Sequence, residues 1–398
     1  MAFADLTTDY KGAKGAIFRL ALATGIRTVI TAGFYRFWMK TRMRRYYWSA
    51  IRPGGMPLEY VGRPTEKLLG FLTAVVFLAF YIGIVNLILM FFSYSLFDGN
   101  TPAYAVSVVG ITPLIFFAQY RARRYVLART RWRGIRFGLE PGVAGFVWRS
   151  LLHWGLTVAT AGLYWPVKTY WLEKYRTDRT YYGDQRMHQG GSWRMLIKPM
   201  MHLYLSAALL GGTIALLVVT EDPRYAPLIF LAVPWFFFGL AAWKTGSFRE
   251  LTNTKTLGEA RLKASPRTGR IVGIYAGGWA AMGGIFVGAA IGVSILFGII
   301  FAATGFAVDT IGEDGYLTTL GNLPAFVPIL FGIITYFAIF IFWGVLKEVF
   351  ITLPVAQHFA ETTEIVNPQS LLTVRQRARD EFAEAEGFAD ALPLGDAF

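Results

Sequence analysis

The chain has four histidines, His153, His188, His202 and His358, and no two of them stand at metal-ligand spacing. No His-Glu-x-x-His run occurs, no glycine-rich loop ends in Gly-Lys-Ser or Gly-Lys-Thr, and Gly-x-Ser-x-Gly is absent. Cysteine is absent too, which removes thiolate nucleophiles, thiolate metal sites and disulfides together. The sequence therefore predicts no catalytic residues, no metal and no cofactor. A membrane-embedded enzyme ranks last among the functions it allows.

The polar chemistry that remains lies on two otherwise apolar stretches. At helical spacing, Thr24, Thr28, Thr31 and Tyr35 share one face of 17–38, with Arg27 beside them. His153, Thr157, Thr160 and Tyr164 share the matching face of 143–166, and Arg149 extends it by one turn. Stripes of this kind can line a cavity for a polar solute or a lipid headgroup. Equally, the hydroxyls can bond backbone or neighbouring helices while the arginines reach phosphates. Two basic pairs, Arg44-Arg45 before Tyr46 and Arg123-Arg124 before Tyr125, suit anionic lipid at a membrane surface.

The elements that must carry these residues follow from composition. Hydrophobic residues make up 55% of 398 and charged ones only 16%, more apolar surface than a soluble domain of this size could hide. The net charge of +14 is gathered in blocks between long apolar runs, a pattern of membrane loops rather than of nucleic-acid binding. Six charge-free runs, at 68–96, 103–119, 200–219, 226–243, 271–306 and 323–346, predict six transmembrane helices in three hairpins. In the 271–306 run, Gly273, Gly277, Gly284, Gly288 and Gly292 mark a face for close helix packing.

Orientation comes from the loops. Segments 40–67, 121–136, 168–198 and 244–270 each hold seven Lys or Arg residues, whereas the connections at 97–102, 220–226 and 307–322 are acidic apart from Arg224. The basic side is then cytoplasmic, with both termini on it. Stretches 17–38 and 143–166 have basic sequence on both sides, so each is expected to enter and return or to lie in the interface.

A shift of 129 residues carries Thr31-Ala32-Gly33-Phe34-Tyr35 onto Thr160-Ala161-Gly162-Leu163-Tyr164, Tyr46 onto Tyr175 and Gly62 onto Gly191. This predicts a parallel internal duplication. The first repeat is 1–129 and the second 130–258, followed by a third membrane hairpin at 259–366 and a cytoplasmic tail at 367–398. Alternation of Arg and Thr with aromatics, as in Ile135-Arg136-Phe137, predicts short strands in the basic segments. The fold class expected is an all-α polytopic membrane protein with small β-rich cytoplasmic segments.

Phe18, the run Thr31 to Trp38, Arg44-Arg45-Tyr46-Tyr47-Trp48 and Gly62 together resemble the YjgN-like family of bacterial inner-membrane proteins. The resemblance runs through most of the first 270 residues, with Ala32 and Ala161 where the family's turn usually has leucine. It implies a bacterial inner membrane and supplies no substrate, the family's function being unknown. The function expected first is binding or passive transport of a lipid headgroup, amphiphile or small polar solute. The alternative is a structural or assembly subunit that meets a protein partner through the glycine-rich helix or the C-terminal tail. Membrane lipids are the expected partners in either case.

Overall fold

A computed structural model describes residues 5–97, 100–303 and 326–378. Helices alternate with short strands along the chain. The strands are β1 (Leu6–Tyr10), β2 (Ile51–Pro53), β3 (Leu58–Tyr60), β4 (Thr130–Trp132), β5 (Ile135–Leu139), β6 (Thr180–Tyr182), β7 (Gln185–Gln189), β8 (Lys255–Leu257), β9 (Ala260–Ala264) and β10 (Thr363–Val366). Between them run α1 (Lys14–Ile30), α2 (Arg36–Ala50), α3 (Pro64–Phe97), α4 (Asn100–Ala128), α5 (Val143–Ala159), α6 (Trp165–Thr177), α7 (Ile197–Thr220), α8 (Pro227–Asn253) and α9 (Thr268–Ala303), then helices Phe326–Lys347 and Leu353–Glu361.

All ten strands form one antiparallel sheet in the order β2-β1-β10-β9-β8-β7-β6-β5-β4-β3. β2 and β3, at the two ends of that order, are consecutive in the chain, so the sheet comes nearly round on itself. The first and last strands pair inside it, Leu6 opposite Ile365 and Thr7 opposite Glu364. Two-residue turns join β4 to β5, β6 to β7 and β8 to β9, the tightest link antiparallel strands allow. At the first of these both turn residues have positive φ, Arg133 at 52° and Gly134 at 78°, the backbone twist that matches the strands' own.

This sheet corrects the all-α expectation. The basic segments contribute most of its strands, and the apolar residues of several hairpins meet on one side: Trp132, Tyr182 and Ala260 are buried together, with Leu58, Phe137, Leu257 and Ile365 packed on them. The Tyr182 hydroxyl donates to the Trp132 carbonyl at 3.0 Å, and burial pushes its ionisation up to about 12, so it stays a neutral donor.

The count of six membrane helices is also corrected. Among the described residues four helices are long and apolar enough to cross: Trp193–Thr220, Pro223–Asn253, Thr268–Leu296 and Gly332–Glu361. The 68–96 and 103–119 runs lie in α3 and α4, where the described apolar stretch is Gly83–Phe92 and Pro113 stands inside α4. Aliphatic and aromatic side chains such as Val219, Phe230 and Leu231 stand well exposed on the four helices, as suits lipid rather than water. The expected acidic connection at 307–322, Asp98 of the first one, and the tail beyond residue 378 lie outside the described residues.

The chain divides into two compact units, one of Met1–Lys11, Lys40–Ile271 and Gln357–Phe398, the other of Gly12–Met39 and Val272–Ala356. In the first, α7 lies so close to α8 that a Cβ at Gly239 would stand 2.8 Å from the Leu203 Cα. Phe116, Tyr120, Phe146 and Tyr175 cluster where α4, α5 and α6 meet. In the second, α1 packs on helix Phe326–Lys347, with Gly25 facing Ile341, and Trp343 meets Trp279 and Phe286 with tilted rings.

Candidate functional site

The two polar stripes end in turns of the same geometry. Ala32 and Ala161 have φ of 48° and 49°, Gly33 and Gly162 of 91° and 93°. The Gly33 amide donates to the Thr28 carbonyl and the Gly162 amide to the Thr157 carbonyl, both at 2.7 Å, the six-to-one bond that closes a helix C-terminus. Alanine in a left-handed conformation is uncommon, and the following glycine lets the chain reverse there.

Within the stripes most hydroxyls face their own backbone. Thr24 donates to Leu20 O, Thr28 to Thr24 O and Thr31 to Arg27 O, at 2.7–2.8 Å, while the Tyr35 amide donates to Thr31 Oγ1. Arg27 donates to the Tyr35 hydroxyl at 3.2 Å. In the second stripe Thr157 donates to His153 O and Thr160 to Leu156 O, and the Tyr164 amide donates to Thr160 Oγ1. His153 stacks on Tyr164 with ring centres 5.7 Å apart, and Arg149 lies over the Tyr175 ring while donating to Gly145 O.

The histidines are dispersed. His188 approaches Asp178 at 3.5 Å, His202 meets Phe238 edge-on, and His358 Nε2 accepts from the Arg267 amide. A Cβ at any of Gly273, Gly277, Gly284, Gly288 or Gly292 would meet no described atom within 4 Å; the close approach on α9 is at Gly278, against Phe350 and Ile351.

All four members of the two basic pairs are occupied with the protein itself. Arg44 stacks on Trp48 and Tyr60, Arg45 donates to Gly62 O at 2.9 Å, and Arg123 reaches Glu173 at 3.5 Å. Arg124 is engaged as well. Its Nε donates to Leu139 O at 3.2 Å, and the residue lines a cavity of about 80 Å³ together with Arg129, Arg136, Glu140, Tyr181 and Arg377. β4 and β5 bring Arg136 to the cavity, the end of α4 brings Arg124 and Arg129, and Arg377 arrives from the chain beyond β10.

The charges around the cavity are ordered. Arg129 forms an ion pair with Glu66 at 2.9 Å. Glu140, the single carboxylate among the described residues that line the cavity, accepts from the Tyr181 hydroxyl and from Arg186. Burial opposes its ionisation, but those two donors together with the charges of Arg186 and Arg179 outweigh it and hold the carboxyl below its usual range. Arg124, Arg136 and Arg377 line the cavity as well, so at neutral pH its field is positive.

Sequence reasoning reached Arg124 through its pairing with Arg123. It missed Arg129, Arg136 and Arg377 as a group because only the sheet brings them together. The alternation at Thr130-Arg131-Trp132 and Ile135-Arg136-Phe137 was the available signal, read as strands and not as a wall.

Fold and site together define a membrane protein in which helix pairs alternate with hairpins of one antiparallel sheet, and an arginine-lined cavity lies at that sheet. The chain belongs to DUF898, a bacterial family of unknown function, which matches residues 5–391 and agrees with the YjgN-like resemblance. No curated protein and no solved structure matches it.

Proposed function

We propose that this protein is a membrane-embedded binding protein for phosphate-bearing headgroups, with the phosphate seated among Arg124, Arg129, Arg136 and Arg377. The observation that carries the reading is the gathering of four arginines around one small cavity, where the one carboxylate among the described lining residues is already held by Tyr181 and Arg186. Guanidinium forks match phosphate oxygens in shape and charge. A space of this size admits a few waters or one phosphate group.

The positive-inside rule, applied to the basic segments, supports a cytoplasmic side of a bacterial inner membrane for the sheet. Pairing of β1 with β10 supports a common side for both ends of the chain. The matched turns at Ala32 and Ala161 support descent of 1–129 and 130–258 from one duplicated unit. A second reading, a structural subunit docked through α9, has in its favour the open face of Gly273, Gly277, Gly284, Gly288 and Gly292.

The test is a thermal melt of the full chain in neutral detergent with three probes: inorganic phosphate, dihexanoyl phosphatidate and dihexanoyl phosphatidylcholine. Phosphatidate is expected to raise the melting temperature, with phosphate effective at higher concentration and the net-neutral phosphatidylcholine ineffective. Phosphate acting as well as phosphatidate would assign the site to a soluble phosphate source. Equal shifts with all three probes, or none, would refute the reading.

A further inference from the structure

The chain beyond β10 stays on the sheet. A short turn at Pro368–Leu372 sends Leu371 into the apolar cluster of Trp132, Tyr182 and Ala260, and Val374 follows it there. The Ser370 hydroxyl accepts from the Ala260 amide, fixing this buried anchor to β9.

Past the anchor the grip changes character. Residues 375–378 are exposed and cross the turn between β6 and β7. The Asp184 amide donates to Arg375 O at 2.9 Å, the Arg375 amide donates to Asp184 Oδ1 at 3.0 Å, and the Arg136 amide donates to Gln376 Oε1 at 2.9 Å. Gly183 has φ of 57° and lies directly beneath, where a Cβ would collide with the Arg375 carbonyl. Arg377 then reaches the cavity, its guanidinium 4.6 Å from the centre of the Tyr181 ring. One of the cavity's four cations thus arrives on a segment held mainly by exposed hydrogen bonds, which open far more readily than a packed core.

We infer that Val374–Ala378 is a strap coupled to the anion site: it delivers Arg377 as a ligand residue, and phosphate in the cavity and strap on the sheet stabilise each other. The inference rests on the phosphate-site reading above. Coupling of this kind is reciprocal, so whatever loosens the strap weakens phosphate binding by the same factor that phosphate tightens the strap.

The experiment is hydrogen exchange read by mass spectrometry on the full chain in detergent, with and without saturating inorganic phosphate, alongside a phosphate titration of the same samples. Phosphate is expected to slow exchange at residues 374–378 and at the Arg136 and Asp184 amides. Asp184→Ala, which leaves the cavity lining intact, is expected to speed strap exchange and weaken phosphate binding together, each by about fivefold for one lost hydrogen bond. Arg377→Ala is expected to bind phosphate more weakly and to lose phosphate's protection of the strap.

Phosphate binding with unchanged strap exchange, or with equal affinity in Asp184→Ala, would make the segment a static plug and overturn the coupling while leaving the site intact. No phosphate binding by the unmutated chain would remove the site itself, and the coupling with it.

Discussion

Replacing Glu173 by Gln is expected to be the most damaging neutralisation in the sheet-bearing unit. Glu173 is 8% exposed and its carboxylate serves three cations at once: Lys255 at 2.7 Å and Arg123 at 3.5 Å on one oxygen, Arg176 at 2.8 Å on the other. Thr177 adds a hydroxyl at 3.3 Å. Burial works against ionisation here, but Lys255 first, then Arg123 and Arg176, outweigh it and hold the carboxyl well below the usual range. Glutamine keeps the shape and removes the counter-charge, leaving three cations crowded together, so the loss is expected at about 3–5 kcal/mol near pH 7.

The pH sign follows from the lowered ionisation. The stabilisation is complete above the unfolded carboxyl value of about 4.3 and is lost as pH falls below it. Urea melts of both proteins in detergent, a denaturant that leaves ion pairs unscreened, should therefore differ most at neutral pH and converge in acid. Adding Lys255→Met should recover part of the loss, because it removes one uncompensated charge. A neutral-pH difference under about 1 kcal/mol, the size of an exposed ion pair, would refute this account of the cluster.

Two further outcomes test other parts of the structure. Gly239→Ala should lower stability by about 1–3 kcal/mol, because the new methyl meets the Leu203 backbone, whereas Gly212→Ala, with nothing within 4 Å, should be tolerated; melting temperatures in detergent compare them. Lys168 lies outside the four crossing helices, 5% exposed, with its amine 3.3 Å from the Trp154 ring centre and 4.0 Å from that of Trp165. The rings favour the cation, but burial outweighs them and pushes the amine down to about 8. NMR titration of the methyl-labelled amine should show that midpoint; a value near the ordinary 10.4 would contradict it.

Local signals in the sequence were read well where they rest on a few neighbouring residues. The repeat of Thr31-Ala32-Gly33-Phe34-Tyr35 at 160–164 marks two matching turns, although helical spacing alone carried Tyr35 and Tyr164 along a helix face that ends at Ile30 and Ala159. Alternation around Ile135-Arg136-Phe137 did mark a strand. The partners of that strand could not be read, since a three- to five-residue strand carries too little pattern to choose among nine others.

The pairing of Leu6 with Ile365 joins the two ends of the chain, which no local rule anticipates. Arginine pairs are visible in sequence, but what each guanidinium meets, Gly62 O for Arg45 and Leu139 O at the cavity's edge for Arg124, is set by the packed neighbours.

The most direct measurement is a cryo-electron microscopy map of the full chain purified with its native lipid. Tetrahedral density among Arg124, Arg129, Arg136 and Arg377, within hydrogen-bond distance of guanidinium groups there, is the predicted result. A water-filled cavity in a map that shows ordered lipid elsewhere on the protein would contradict the account.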